Sequence, residues 1–376
     1  MQKLPIVYLI GELGKGGSER QLYLLLKAMD LSMVDPLVVC FNPSAAGGYE
    51  DAIRACGVPV VYCPPGARSA IARLRFVVKT LRAHQAQVVH SWSAYTNTYA
   101  SLGGLLAGVP LRAGSMRNSL KNRGFLNLPR LARLLSIHGT PWMFVNAESI
   151  QAELAAEGLP RDRIFLVENC VEIPQTRPSI PPELAEVFAG GYRIVGTVCN
   201  IRRNKNVHIF IEGLAKLLPA HPELRGVIVG QPIPDELDYY DEIRQLIGQL
   251  GLTDSIYLLG FRGDAPALSG LFDVFCLLSQ FEGTPNALME AMAAGRPVIA
   301  TRTSGIPDLI RDGENGCLVE PGSVASFASA LEQMLNRADL EALGAAGREK
   351  MKSEFYCPEK SAKFVNIYRE LLGRQR

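Results

Sequence analysis

No C-x-x-C pair occurs among the eight cysteines, which stand at positions 40, 56, 63, 170, 199, 276, 317 and 357. Most lie in apolar runs that read as strands, where a reduced thiol serves as a small hydrophobe, so neither a zinc site nor a disulfide framework is expected. No run approaches the about 20 apolar residues of a membrane-spanning helix, and the apolar stretch 4–10 is too short and too poorly flanked for a signal peptide. A cytoplasmic chain is expected. The sharpest absence is of acid: no Asp or Glu occurs over 52–147, a span that holds Arg54, Arg68, Arg73, Arg75, Lys79, Arg82, Arg112, Arg117, Lys121, Arg123, Arg130 and Arg133. Such a half wants an anionic partner, but without a recognition motif or aromatic-basic interleaving that partner is not nucleic acid.

With 376 residues, 48% hydrophobic and 20% charged, the chain can bury two cores. The net charge of +2 hides a split: residues 1–178 carry 19 Lys and Arg against 12 Asp and Glu, and 179–376 carry 20 against 25. Within 117–135, Lys121, Arg123, Arg130 and Arg133 alternate with Phe125, Leu126, Leu128, Leu131, Leu134 and Leu135. That pattern suits an anionic lipid surface and equally suits a solvated basic face over a buried helix side.

Strand-like runs alternate with helical stretches throughout, the mark of doubly wound parallel sheets. Strands are expected at 4–10, 37–41, 58–62, 88–90, 111–115, 142–146 and 164–167, with helices between them. After the Pro-rich stretch 174–182 the pattern restarts, with strands at 193–199, 226–229, 256–258, 274–278 and 298–301. Two Rossmann-like domains result: 1–173, a linker at 174–188, 189–357, and a closing helix at 358–376. The loops following Ile10, His90, Cys199, Gly230 and Leu278 leave the carboxyl ends of strands, where such sheets bind ligands.

The most informative stretch is 281–297. Thr284 is a suitable N-cap, Pro285 a suitable first helical residue and Gly295 a suitable left-handed C′ residue, which predicts a helix over about 285–294. Its first amides and the positive end of its dipole can hold a phosphate or sugar oxygens at 283–287. Glu282 precedes the cap and Glu290 lies more than a turn inside, so the two acids address different parts of one extended ligand.

This E-x7-E pair, set in E-G-x-P-x-x-x-x-E-A-M-A-x-G-x-P-V-I-A-T, resembles the signature of the family 4 retaining glycosyltransferases. The resemblance implies the GT-B fold, α/β with two Rossmann-like domains facing a central cleft, and a closing helix that packs back on the first domain. It places the donor sugar on Glu282, sugar and diphosphate on the backbone of Gly283, Thr284, Pro285, Asn286, Ala287 and Leu288, and the ribose hydroxyls on Glu290. Lys205, in the stretch 199–206, matches the diphosphate lysine, but the family's usual Arg is Asn200 here, and either Arg202 or Arg203 substitutes. Gly16 and Gly17 match glycines that approach the donor phosphates, with Ser18 as a helix cap. Phe261 and Arg262 match a turn whose backbone reads the nucleobase, and 303–308 matches a loop that completes the sugar pocket.

On the acceptor side stand His90, Arg117 and Asn118. His90 reads either as a polar cleft contact or as a satisfied strand-end histidine. Arg117 replaces a His found in many relatives; a guanidinium cannot act as a base but can bind a phosphate bidentately. The resemblance further implies retention without a metal or cofactor, from a nucleotide sugar (a UDP-sugar). With the motif glutamates committed to hydroxyls, a front-face reaction with Lys205 and Glu282 central is expected. The basic span points to a saccharide or polyprenyl-diphosphate-linked acceptor in cell-envelope or exopolysaccharide synthesis, at the inner leaflet. The alternative is a non-catalytic nucleotide-sugar-binding module on the same scaffold.

Overall fold

The computed structural model describes residues 3–43, 48–67, 69–121, 123–176, 178–303 and 305–374. Arg68, and Ser304 within the stretch 303–308, lie outside them, as does the side chain of Arg123. Two compact units emerge: Met1–Cys170 together with Cys357–Arg376, and Val171–Tyr356.

The first unit is built on seven parallel strands, β1 (Leu4–Ile10), β2 (Val34–Cys40), β3 (Val60–Tyr62), β4 (Val88–Ser91), β5 (Leu111–Met116), β6 (Trp142–Val145) and β7 (Ile164–Leu166), in the order β3-β2-β1-β4-β5-β6-β7. The strands are apolar on both faces because helices cover both. Alternate residues of β1 feed different cores: Ile6, Tyr8 and Ile10 pack with Leu22, Leu25 and Phe144, whereas Val7 and Leu9 pack with Val39, Val77 and Leu81. The closing helix, Cys357–Gly373, adds Phe364, Tyr368 and Leu371 to the Tyr8 face.

The second unit repeats the plan with β8 (Arg193–Val198), β9 (Leu224–Val229), β10 (Ile256–Gly260), β11 (Val274–Leu277), β12 (Val298–Thr301) and β13 (Cys317–Val319), all parallel, in the order β10-β9-β8-β11-β12-β13. Val195 of β8 faces the helix Val207–Leu217, and Ile194 faces the helix Asn286–Ala293. In both sheets the strand order reverses once, between β1 and β4 and between β8 and β11. Loops leaving the carboxyl ends part there and open a crevice.

Several sequence expectations are corrected. Pro285 (φ −76°, ψ 109°) is the N-cap of the Asn286–Ala293 helix in place of Thr284, because its extended ψ keeps it outside the helix. Gly16, not Ser18, caps the Gly17–Lys27 helix. Gly295 does adopt the left-handed conformation, φ +72°. The strand β13 and the helices Val324–Leu335 and Leu340–Glu354 have no counterpart in the sequence reading. Within 174–188, Leu184 and Val187 are buried in the second unit's core.

Candidate functional site

In the second unit, the loops after β8, β11 and β12 are bonded into one wall. Asn206, left-handed at φ 51°, heads the Val207–Leu217 helix and donates from Nδ2 to the Leu278 carbonyl (2.9 Å). The Gln280 amide donates to the Asn204 carbonyl (2.8 Å). Thr301 and Thr303 donate their hydroxyls to the carbonyls of Ser279 (2.6 Å) and Gln280 (2.8 Å). The loop after β9 is drawn in as well: Gly230, at φ +149°, lies against the Cys199 carbonyl, where any Cβ would collide.

This wall brings Lys205 and Glu282 together as an ion pair, each side chain only 12% exposed. Ser279 Oγ donates to the same carboxylate oxygen of Glu282 (2.7 Å). Gly283 is exposed, Thr284, Asn286 and Ala287 are half-buried, and Pro285 and Leu288 are buried. The helix beginning at Asn286 turns the positive end of its dipole toward this loop, which favours an anion there. Glu290, the fifth helical residue, is 8% exposed.

The structure separates the two arginines that the sequence leaves open. Arg203 is exposed and committed: its guanidinium donates to Asp238 (2.7 Å) and Glu242 (2.7 and 2.9 Å), its amide to Glu236 (2.5 Å), and it lies 5.1 Å from the Tyr239 ring centroid. The carboxylates of Glu242 and Asp238 push its pKa upward. Arg202 is half-buried, and its Nε is buried with no hydrogen-bond partner among the described residues. Asn200 is exposed on the same loop. A cavity of about 550 Å³ adjoins this loop, lined by His208, Tyr239, Glu242 and Gln280, and neither Lys205 nor Glu282 lines it. Following β10, Phe261 is 39% exposed, while Arg262 is paired with Asp264 (2.9 Å) and Glu183 (2.7 Å).

In the first unit, Trp92, after β4, donates its indole N–H to the Ser18 carbonyl (2.8 Å) and so spans the reversal between β1 and β4. The Arg117 guanidinium lies 4.4 Å from the Trp92 ring centroid and donates to Asn169 Oδ1 (2.6 Å). Burial lowers its pKa to about 10. Gly16 stands against the Glu19 carboxylate, with no space for a Cβ. Burial, with the Glu12 charge adding to it, raises the pKa of Glu19 against the opposing pull of Arg117. Gly17 opens the helix, and Asn118 is exposed after β5.

Of the two readings left open for His90, the structure shows the satisfied strand-end histidine. It is fully buried, with Nδ1 hydrogen-bonded to the Tyr368 hydroxyl and Nε2 to Ser115 Oγ (2.8 Å). Phe144, Phe364 and Trp92 surround it. Burial, then the nearby Arg117 charge, depresses its pKa to about 3.

Comparison with known proteins agrees with this architecture. Residues 15–174 match Glycosyltransferase Family 4 and residues 185–350 match Glycosyl transferases group 1. The Rhizobium meliloti lipopolysaccharide core biosynthesis glycosyltransferase LpsE is 30% identical over 67% of this chain and 71% of its own length. The Escherichia coli UDP-Gal:alpha-D-GlcNAc-diphosphoundecaprenol alpha-1,3-galactosyltransferase is 24% identical over 86% and 85%. Anabaena HepE in complex with UDP-glucose superposes with a TM-score of 0.82 at 22% identity, covering 97% of this chain and 100% of that one. The two sheets and their reversals are those of the GT-B fold. The chain belongs to the family 4, group 1 glycosyltransferases.

Two measurements check this geometry. Lys205→Met leaves the sheltered Glu282 carboxylate with Ser279 alone and is expected to destabilise the fold by roughly 3 kcal/mol, with the Lys205→Met/Glu282→Gln double variant recovering part of that loss in urea unfolding. For His90, the unfolded chain takes up a proton as pH falls through about 6.5 while the folded chain stays neutral down to about 3. Its contribution to stability is therefore intact above pH 6.5 and falls by up to about 1.4 kcal/mol per pH unit below it. His90→Asn is expected to flatten the pH dependence of unfolding in that window.

Proposed function

We propose that the chain is a retaining, metal-independent hexosyltransferase that moves a sugar from a UDP-sugar to a saccharide or polyprenyl-diphosphate-linked saccharide in cell-envelope or exopolysaccharide synthesis. The observation that carries this reading is the Lys205–Glu282 pair beside the start of the Asn286–Ala293 helix. A cation, a helix N-terminus and a carboxylate stand together where a donor's diphosphate and sugar would need them. The UDP-glucose complex of HepE supports the donor class, and the diphosphoundecaprenol acceptor of the E. coli relative supports the acceptor class.

Lys205 would leave Glu282 for the diphosphate, and Arg202 would supply the second cation in place of Asn200. Arg203 holds the loop through Asp238 and Glu242. Glu282 would accept from the donor sugar hydroxyls and Glu290 from the ribose, with the backbone at Phe261 and Arg262 facing the base. On the first unit, taken by itself, Gly16 and Gly17 would let an anion approach the start of the Gly17–Lys27 helix, and Arg117 with Asn118 would receive the acceptor. Arg117 is presented rigidly because Trp92 and Asn169 fix its plane.

With Glu282 committed to the donor sugar hydroxyls and held by Ser279, it is poorly placed as a nucleophile, which favours a front-face path over double displacement. In that path the bond from the anomeric carbon to the diphosphate oxygen breaks, the acceptor oxygen bonds on the same face, and its proton passes to the departing phosphate. Electrostatic stabilisation of that phosphate falls to Lys205, Arg202 and the helix amides, and no cofactor enters.

A thermal-shift and turnover screen of UDP-, GDP- and ADP-sugars tests this. One UDP-sugar is expected to stabilise the wild type, Glu290→Gln to weaken its binding about tenfold or more, and Lys205→Ala to lower kcat by about 10² to 10³. The product should keep the donor's anomeric configuration. Donor binding without any transfer would point to the binding module instead, and inversion would exclude the front-face route.

A further inference from the structure

The connection from β5 to β6 carries a helix whose apolar edge faces outward. In Arg130–His138, residues Arg130, Leu131, Leu134 and His138 fall within an arc of about 100°. All four are exposed, Leu131 at 67% and Leu134 at 50%, and Leu126 just upstream is 48% exposed. The opposite side is conventional core: Leu120, Phe125 and Ile137 pack with Met116, Met143, Val145 and Ile150.

This segment is firmly seated. Glu153 accepts from Ser119 Oγ (2.8 Å) and the Leu120 amide (2.7 Å), which fixes the loop that begins at Asn118. Buried Asn97 donates to the carbonyls of Ser115 and Ser136 (3.1 Å each) and accepts the Ser115 amide (3.0 Å). The outward leucines are thus held outward by the fold. Lys121 and Arg130 flank them exposed, and the sequence supplies no carboxylate between Asp51 and Glu148.

We propose that this face, formed by Lys121, Leu126, Arg130, Leu131 and Leu134, docks on an anionic lipid bilayer. Apolar side chains among cations, with Glu153 engaged by Ser119 and Leu120, match an interface in which leucines enter the acyl boundary and cations meet lipid phosphates. No helix among the described residues is long and apolar enough to cross a membrane, and the attachment proposed is to the surface. Arg117 and Asn118 lie on the same connection, a few residues before Lys121. If the lipid-linked acceptor reading holds, docking brings a membrane-borne diphosphate to that arginine; the docking itself does not depend on it.

The test is flotation of the full chain with vesicles of phosphatidylglycerol and phosphatidylcholine in equal parts, against phosphatidylcholine alone, at low and high salt. Binding is expected only to the anionic vesicles and is expected to weaken with salt. Lys121→Ser/Arg130→Ser should reduce it roughly 30-fold, about fivefold per cation, and Leu131→Ser/Leu134→Ser at least about tenfold. All four positions are exposed, and unchanged thermal unfolding verifies that the variants fold. No binding at low salt, or equal binding to phosphatidylcholine alone, overturns the proposal. So does a concentration-dependent dimer that the leucine variants abolish, which would give the face to a second copy of the chain. Donor binding measured alongside is unaffected by these variants, so failure here and failure of the transferase reading are distinguishable.

Discussion

The second unit is organised around one constraint: β8 and β11 are neighbours in the sheet, but the chain leaves them in opposite directions. Their two following loops must cross the same edge of the sheet from either side. Lys205 comes from one and Glu282 from the other, and their ion pair closes the gap. Hydrogen bonds from Asn206, Gln280, Thr301 and Thr303 hold the surrounding backbone at fixed spacing. The shape of the wall is set by bonds that do not involve the Lys205–Glu282 pair, and under the proposed function Lys205 would change partner without the wall being rebuilt, as preorganised electrostatic stabilisation requires.

The first unit solves the equivalent problem with aromatic side chains. Trp92 crosses the β1–β4 reversal through its bond to Ser18 and supports the Arg117 guanidinium on its ring. Beneath it, His90 is locked neutral between Tyr368 and Ser115. The closing helix supplies Tyr368 and Phe364, so the last residues of the chain set the floor under a loop formed by residues near position 90. A neutral His90 also spares Arg117 a second positive charge close by, at the cost of the acid sensitivity described above.

What the sequence made legible was local. The strand-helix alternation and the left-handed Gly295 follow from patterns within about 20 residues. The features misread or left open depend on distant partners or on backbone geometry. Nothing near His90 in sequence announces that Tyr368, 278 positions away, will satisfy its Nδ1. Arg203 looks as available as Arg202 until Asp238 and Glu242 arrive from the helix Leu237–Gln249. Thr284 has the right hydroxyl for a cap, but the extended ψ of Pro285 starts the helix one residue later. The strand β13 has three residues, too few to show a period.

The central claim is that Lys205 is shared between Glu282 and the donor diphosphate, and titration of Glu282→Gln separates the two partners. Binding of UDP and of the corresponding UDP-sugar would be measured calorimetrically in the wild type and in this variant. Release of Lys205 from its carboxylate predicts that UDP binds the variant at least as tightly as the wild type, while the additional affinity contributed by the sugar disappears. A parallel loss of affinity for both ligands would contradict the account, because it would make the carboxylate a structural support of the phosphate site and not a competitor for its cation.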